Sequence, residues 1–160
     1  MKLFIDTEFT QFFNPQLLSI GIVDERGNSF YGELHHEGPL NEFVTEHVYS
    51  QWGKVPFSLH LDGNSLSRHL NEWLLRLNAP IELCYDYHTD ADFFDLVSSI
   101  KPIAYTHLGY LCGPEYEQAG LLEWDRIEKE MGLRRHHALA DAYALRATYW
   151  AAHGRPELSC

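Results

Sequence analysis

The first ten residues constrain the fold more than any other stretch. Leu3-Phe4-Ile5 is an apolar run, part β-branched and part aromatic, suited to a buried position in a sheet. Asp6 and Glu8 follow at i and i+2, within Asp6-Thr7-Glu8-Phe9-Thr10. Side chains alternate along a strand, so both carboxylates point to the same side of it. A hydrophobic core rejects two like charges held that close. Either the strand ends in solvent, or a hard divalent cation such as magnesium or manganese lies between the acids. The Asp-x-Glu pair by itself fits both.

The rest of the chain supplies a sheet for this strand to join. Leu17-Leu18-Ser19-Ile20-Gly21-Ile22-Val23 reads as a second buried strand, residues 24–28 as a turn, and Ser29 to Leu34 as the returning strand of a hairpin. Residues 35–63 carry His35, His36, His47 and His60 among Gly and Pro punctuation, with only a short candidate helix near Asn41 to Val48. Those histidines show no metal-ligand spacing and read as surface side chains.

From Asn64 to Leu77 the residues Leu66, Leu70, Trp73, Leu74 and Leu77 form one helical stripe, with Ser65 or Asn64 as the cap. Ile81 to Asp86 reads as a fourth strand, Thr89 as the cap of a following helix, and Pro102 to Thr106 as a short fifth strand. Pro114 to Met131 and Ala138 to Ala152 are helices, with Gly132 and Gly154 just past their ends. This order predicts an α/β fold: a mixed sheet of about five strands, an antiparallel meander of strands 1–3 followed by parallel strands, flanked by helices. At 160 residues, one domain spanning 1–160 is expected.

Composition narrows the function classes. The 23 Asp and Glu outnumber the 12 Lys and Arg, for a formal net charge of −11. That argues against a protein that coats long nucleic acid through many phosphate contacts. A nucleic-acid enzyme whose local field comes from bound metal ions is still compatible with it. Cys84, Cys112 and Cys160 form no C-x-x-C and suggest reduced thiols. No amino-terminal segment resembles a signal peptide and no run of about 18 apolar residues occurs, so a cytoplasmic protein without a membrane segment is expected.

Further carboxylates sit where an α/β architecture collects its chemistry, at strand ends and helix starts. Asp90 opens the helix after the fourth strand, and Asp141 lies in the first turn or so of the last helix. Phosphoryl-transfer sites with two metals need several such acids around ions roughly 3.5–4 Å apart. Capping explains Asp90 and Asp92 equally well, and a solvated helix face explains Asp141 equally well.

The run Arg134-Arg135-His136-His137-Ala138-Leu139-Ala140-Asp141-Ala142 shifts that balance. Together with Phe4-Ile5-Asp6-Thr7-Glu8-Phe9, it resembles the DEDDh 3′→5′ exonucleases. This superfamily has an RNase H-like fold and includes RNase T, oligoribonuclease and the proofreading subunits of bacterial polymerases. Its signature is Asp-x-Glu on the first strand, a central Asp, then His-x4-Asp near the carboxyl end. Asp-Thr-Glu-Phe followed by Leu-Leu-Ser-Ile-Gly-Ile-Val looks closest to the compact RNase T-related exoribonucleases first described in mycobacteria. The likeness covers essentially the whole chain and is specific at three motifs.

The resemblance implies that Asp6, Glu8, Asp90 and Asp141 hold two Mg2+ or Mn2+ ions and that His136 is the general base. Where many relatives read Asn-x-x-x-Phe-Asp, this chain reads Asp86-Tyr87-His88-Thr89-Asp90, so Asp86 replaces the usual Asn and becomes a candidate for substrate or indirect metal contact. Asp92 is a third candidate for the central acid. His137 is the rival base, since it stands at i, i+4 to Asp141 and would share its helical face. The family solves this by placing the histidine in the loop before the helix. Thr7 and Phe9 would grip the last nucleotide, and Glu8 could accept a hydrogen bond from its 3′-OH. Arg134, Arg135 and Arg146 are candidate phosphate contacts.

The implied activity is removal of nucleoside 5′-monophosphates from single-stranded RNA 3′ ends, with a homodimer as a possible assembly. A 3′→5′ DNA exonuclease of the same fold is the nearest alternative. A non-catalytic RNase H-like interaction module is the more distant one.

Overall fold

The computed structural model describes residues 1–154 other than Leu61, Tyr110 and Cys112; nothing is described for the Glu115 side chain. Of the three cysteines, Cys84 is a buried free thiol, while Cys112 and Cys160 lie outside the described residues.

Strand β1 (Lys2–Phe9) lies inside a six-stranded sheet of order β4-β3-β2-β1-β5-β6. It runs antiparallel to β2 (Leu17–Asp24), which in turn pairs antiparallel with β3 (Ser29–Leu34). On its other side β1 runs parallel to β5 (Glu82–Tyr85), which pairs parallel with β6 (Ala104–His107). The expected mixed sheet is present, with one more strand. The extra strand is β4 (Leu59–His60), parallel to β3 at the edge. Two residues carry no period, so nothing in stretch 35–63 marked it as a strand.

Helices cover both faces. Leu3 and Ile5 of β1 share one buried cluster with Leu66, Leu70 and Leu74 of α1 (Gly63–Leu77) and Phe94 of α2 (His88–Val97). Phe4 points the other way and packs with Tyr149 of α4 (Ala138–His153); Ile127 of α3 (Pro114–Met131) packs with Leu139 of α4 on that same side. Burying a side chain of this size contributes about 1.5–3 kcal/mol. With both faces covered, all eight β2 residues are buried, which is why that strand reads as a continuous apolar run.

Local details differ from expectation for local reasons. Helix α1 is capped by Asp62, whose carboxylate accepts from Ser65 N at 2.7 Å, so Ser65 and Asn64 lie inside the helix. Helix α2 starts at His88 after Tyr87, one residue before Thr89, and its N-cap makes no side-chain bond. Strand β6 begins at Ala104, pairing with Glu82, rather than at Pro102, which has no N–H to give a ladder. Around 41–51 the chain makes a π-helical turn (Val44–Val48) and then a 3-10 turn (Tyr49–Gln51) in place of an ordinary helix. Among the described residues, no helix is long and apolar enough to cross a membrane.

One close approach places the chemistry. Asp6 on β1 pairs with Gly21 on β2, and a Cβ at Gly21 would fall 2.4 Å from the backbone of Ala138 and Leu139. Only a glycine lets the first turn of α4 rest directly on this strand pair. Asp141, one turn further on, is thereby carried to the strand that bears Asp6 and Glu8.

Candidate metal centre

Asp6 and Glu8 follow Phe4 with period two and so face α4, at the carboxyl end of β1. Four segments meet there: the end of β1, the β5–α2 junction, the loop before α4 and the first turn of α4. Asp6, Asp86 and Asp90 each offer an oxygen, and these atoms lie within 4.8 Å of one another. Glu8, His136 and Asp141 form a second such group.

Asp90 is held hard in place. Its Oδ1 accepts from Thr7 N at 2.9 Å and from Thr7 Oγ1 at 2.6 Å. Among the described residues its buried Oδ2 has no hydrogen-bond partner, and neither has the buried Asp6 Oδ2. A buried acceptor without a partner costs about 1–3 kcal/mol, and more if it is charged.

Asp141 is oriented from two sides: Oδ1 accepts from Trp124 Nε1 at 2.6 Å, and Oδ2 from His136 N at 3.0 Å. The Arg135 guanidinium stacks over the Trp124 ring, 4.9 Å from its centroid. Beside these groups lies a cavity of about 490 Å³ lined in part by Asp6, Asp86, Trp124, Arg135, His136 and Asp141.

The electrostatics are those of buried acids with little counter-charge, Arg135 beside Asp141 being the nearby cation. Burial first, then the charges of Asp141, Asp90 and Glu8, pushes Asp6 well above the usual carboxylate range. Burial, with Asp141 and Asp90, pushes Glu8 up to about 8. Burial also raises Asp90 and Asp141 to about 7, opposed by the bonds from Thr7 to the former and from Trp124 and His136 to the latter. Such a set is stable when protonated or when cations neutralise it. Hard carboxylate oxygens plus one imidazole, with two buried oxygens still free to bind, fit Mg2+ or Mn2+.

The two neighbouring histidines are sharply different. His136 sits in the loop before α4 with φ +64°, half-buried, its ring flanked by Phe43 at 5.0 Å and His47 at 5.8 Å between centroids. Burial, then Arg135 and His47, lowers its pKa, so it is neutral at neutral pH. His137 is 2% exposed and stacks on Tyr31 at 4.4 Å, with burial pulling its pKa to about 4. It belongs to neither ligand group.

The other candidates divide in the same way. Asp92 is exposed on α2 and belongs to neither group. Thr7 is buried, and its hydroxyl is committed to Asp90 rather than presented to a ligand. Phe9 belongs to an aromatic cluster with Tyr87 stacked at 6.4 Å and the exposed Phe12 at 5.7 Å. Arg134 is exposed beside the site. Arg146 is not at the site: it donates to Glu25 O, at the far end of β1 where Glu25 pairs with Lys2.

Sequence reasoning passed over Trp124, Gln51, His47, Phe12 and Tyr87. For Trp124 a signal existed, because a half-buried indole N–H usually finds an acceptor. Gln51, in a stretch without period, gave none. Compared with known proteins, the chain matches no family model and no curated protein.

Proposed function

We propose that this protein is a metal-dependent 3′→5′ exoribonuclease with an RNase H-like fold, trimming single-stranded 3′ ends and releasing nucleoside 5′-monophosphates. The observation that carries the proposal is the convergence, from four segments, of Asp6, Asp86 and Asp90 into one ligand group and of Glu8, His136 and Asp141 into another, with Asp6 Oδ2 and Asp90 Oδ2 of the first group buried and without a partner among the described residues. An antiparallel meander continued by parallel strands, with helices on both faces, supports the same reading. The preference for RNA over DNA rests on the resemblance alone.

Asp6, Asp86 and Asp90 would hold one cation, and Glu8 and Asp141, with Asp6 nearby, the other. When bound, two such ions neutralise the phosphodiester and stabilise the charge developing on the attacking and leaving oxygens. The protein's own groups do the rest. His136, neutral and adjacent to Glu8 and Asp141, takes a proton from water as its oxygen attacks phosphorus. The bond from phosphorus to the 3′ oxygen of the penultimate nucleotide breaks, that oxygen takes a proton from solvent and leaves as a hydroxyl, His136 returns its proton to solvent, and the terminal nucleotide departs as its 5′-monophosphate. Thr7 keeps Asp90 fixed, and Trp124 with the His136 N–H keeps Asp141 aimed. Phe9, Tyr87 and Phe12 offer faces on which bases can stack.

The test uses 5′-labelled RNA and DNA oligonucleotides of one sequence, with Mg2+ or Mn2+. RNA is expected to give a ladder shortening from the 3′ end, and His136→Ala to slow it by about 10²- to 10⁴-fold, the usual contribution of a general base, while the fold persists. Preferential shortening of DNA would make it a DNA exonuclease. No shortening of either polymer would favour a binding module.

A further inference from the structure

We propose that Gln51 is a positioning residue for His136, its side-chain amide clamping the backbone of residues 134–136 so that the ring stays on Glu8 and Asp141. The inference rests on the catalytic reading of His136 for its consequence, but the clamp itself is independent of it.

The loop before α4 has a problem to solve. His136 adopts φ +64°, a conformation that side-chain-bearing residues visit rarely, and its flanking arginines Arg134 and Arg135 are exposed. A surface loop of this kind is ordinarily among the more mobile parts of a fold. Here a side chain from a distant segment ties it down. Gln51 is 1% exposed, and its Oε1 accepts from Arg134 N at 2.7 Å. The two hydrogens on its Nε2 are shared among three carbonyls, Arg135 O at 3.0 Å, His136 O at 3.2 Å and His47 O at 2.9 Å. Three of these four partners are backbone groups of the histidine loop. The fourth, His47 O, belongs to the π-helical turn just before the 3-10 turn that carries Gln51.

The partners also fix which end of the amide is which. Only an NH₂ can face three carbonyl oxygens, and only a carbonyl can face the Arg134 N–H. The 41–51 segment adds to the clamp, because the π-helical turn that precedes the Gln51 turn brings His47, next to Phe43, against the His136 ring. The stretch with no legible periodicity thus forms the wall that fixes the proposed base. A general base must be held within hydrogen-bond reach of the proton it takes, and small displacements there cost rate rather than binding.

Two variants separate a clamp from a space-filler. Gln51→Met keeps length and volume but cannot donate. Gln51→Glu keeps the acceptor for Arg134 N but aims a second carboxylate oxygen at three carbonyls. In both variants kcat on RNA is expected to fall at least tenfold with KM within twofold of wild type, and Gln51→Glu to be the worse despite being isosteric. The His136 ring resonances of the cation-free full chain, identified by their loss in His136→Ala, are expected to change from one sharp set to broadened or multiple ones. In the wild-type protein the Arg134 amide is expected to exchange at least tenfold more slowly than an open loop amide.

Wild-type kcat and an unchanged ring signal in Gln51→Met would overturn the proposal. Rapid exchange of the Arg134 amide would overturn it too, even if neither variant folds. The ring and exchange readouts need no substrate. A wild-type protein without nuclease activity would therefore sink the catalytic reading and leave the clamp standing.

Discussion

Asp6→Asn is expected to abolish trimming of RNA while raising the melting temperature of the cation-free protein at pH 8. The two effects have one cause. Burial first, then the charges of Asp141, Asp90, Glu8 and Asp86, pushes the Asp6 pKa well up, and one of its buried oxygens has no partner among the described residues. Asparagine keeps the shape and removes an acid that the cation-free site can keep only by holding a proton or by bearing an uncompensated charge. Its loss relieves repulsion in the cation-free fold and removes a ligand from the loaded one. Loss of several kcal/mol of transition-state stabilisation corresponds to a rate drop on the order of 10³-fold. A rate assay and a melting curve on the same sample check both halves. An Asp6→Asn protein that is less stable at pH 8, or that still trims RNA, would show that these acids are ordinary structural carboxylates.

Gly21→Ala carries the second large effect, although no functional atom is touched. A methyl at this position would sit 2.4 Å from the Ala138 carbonyl and the Leu139 nitrogen. Those are backbone atoms of a helix seated on β1 and β2, and they cannot rotate away. The first turn of α4 must move outward, and Asp141 moves with it, along with the His136 loop bonded to its carboxylate. Overpacking of this kind costs about 1–3 kcal/mol or more. For a chain of this size that lowers the melting point by roughly 2–12 °C. Displacement of the proposed catalytic groups by about 1 Å is expected to cost on the order of 10²-fold in rate. Gly63→Ala is the control: no atom of the described residues lies within 4 Å of its Cβ position, and it is the first residue of α1. Its melting point and activity are expected to match wild type. Equal tolerance at Gly21 would mean that α4 is not seated as described.

Periodicity made much of this architecture legible beforehand. The alternation Phe4, Asp6, Glu8 placed both acids on one face of β1, and in the structure that face is the one turned to α4. Pro114 and Gly132 marked α3 because proline tolerates the first turn and a left-handed Gly132, φ +70°, ends the helix. What stayed hidden depends on contacts between distant residues. Strand β4 is two residues long and exists only because β3 offers it an edge. His60 read as a surface side chain, yet it is 6% exposed and faces His69, which no local pattern could announce. Gln51 reaches across more than 80 positions to residues 134–136. Its role is invisible without the fold that brings them together. The choice between His136 and His137 was likewise undecidable from spacing, and it turns on a ring stacked on Tyr31.

The raised carboxylate pKa values fix a sign. In the native state these groups hold protons that the unfolded chain releases near pH 4, the ordinary carboxylate range. The stability they contribute is therefore complete below about pH 4 and is lost as pH rises through about 7 to 8, the values of Asp90, Asp141 and Glu8. A bound cation displaces those protons, so its affinity must climb over the same window. The most direct measurement is a calorimetric titration of the purified chain with Mn2+ at pH 6 and at pH 8. The expected result is two ions per chain at pH 8, with weaker binding and proton release at pH 6. Absence of binding at both pH values, or binding that does not depend on pH, would contradict a metal centre built from Asp6, Glu8, Asp90 and Asp141.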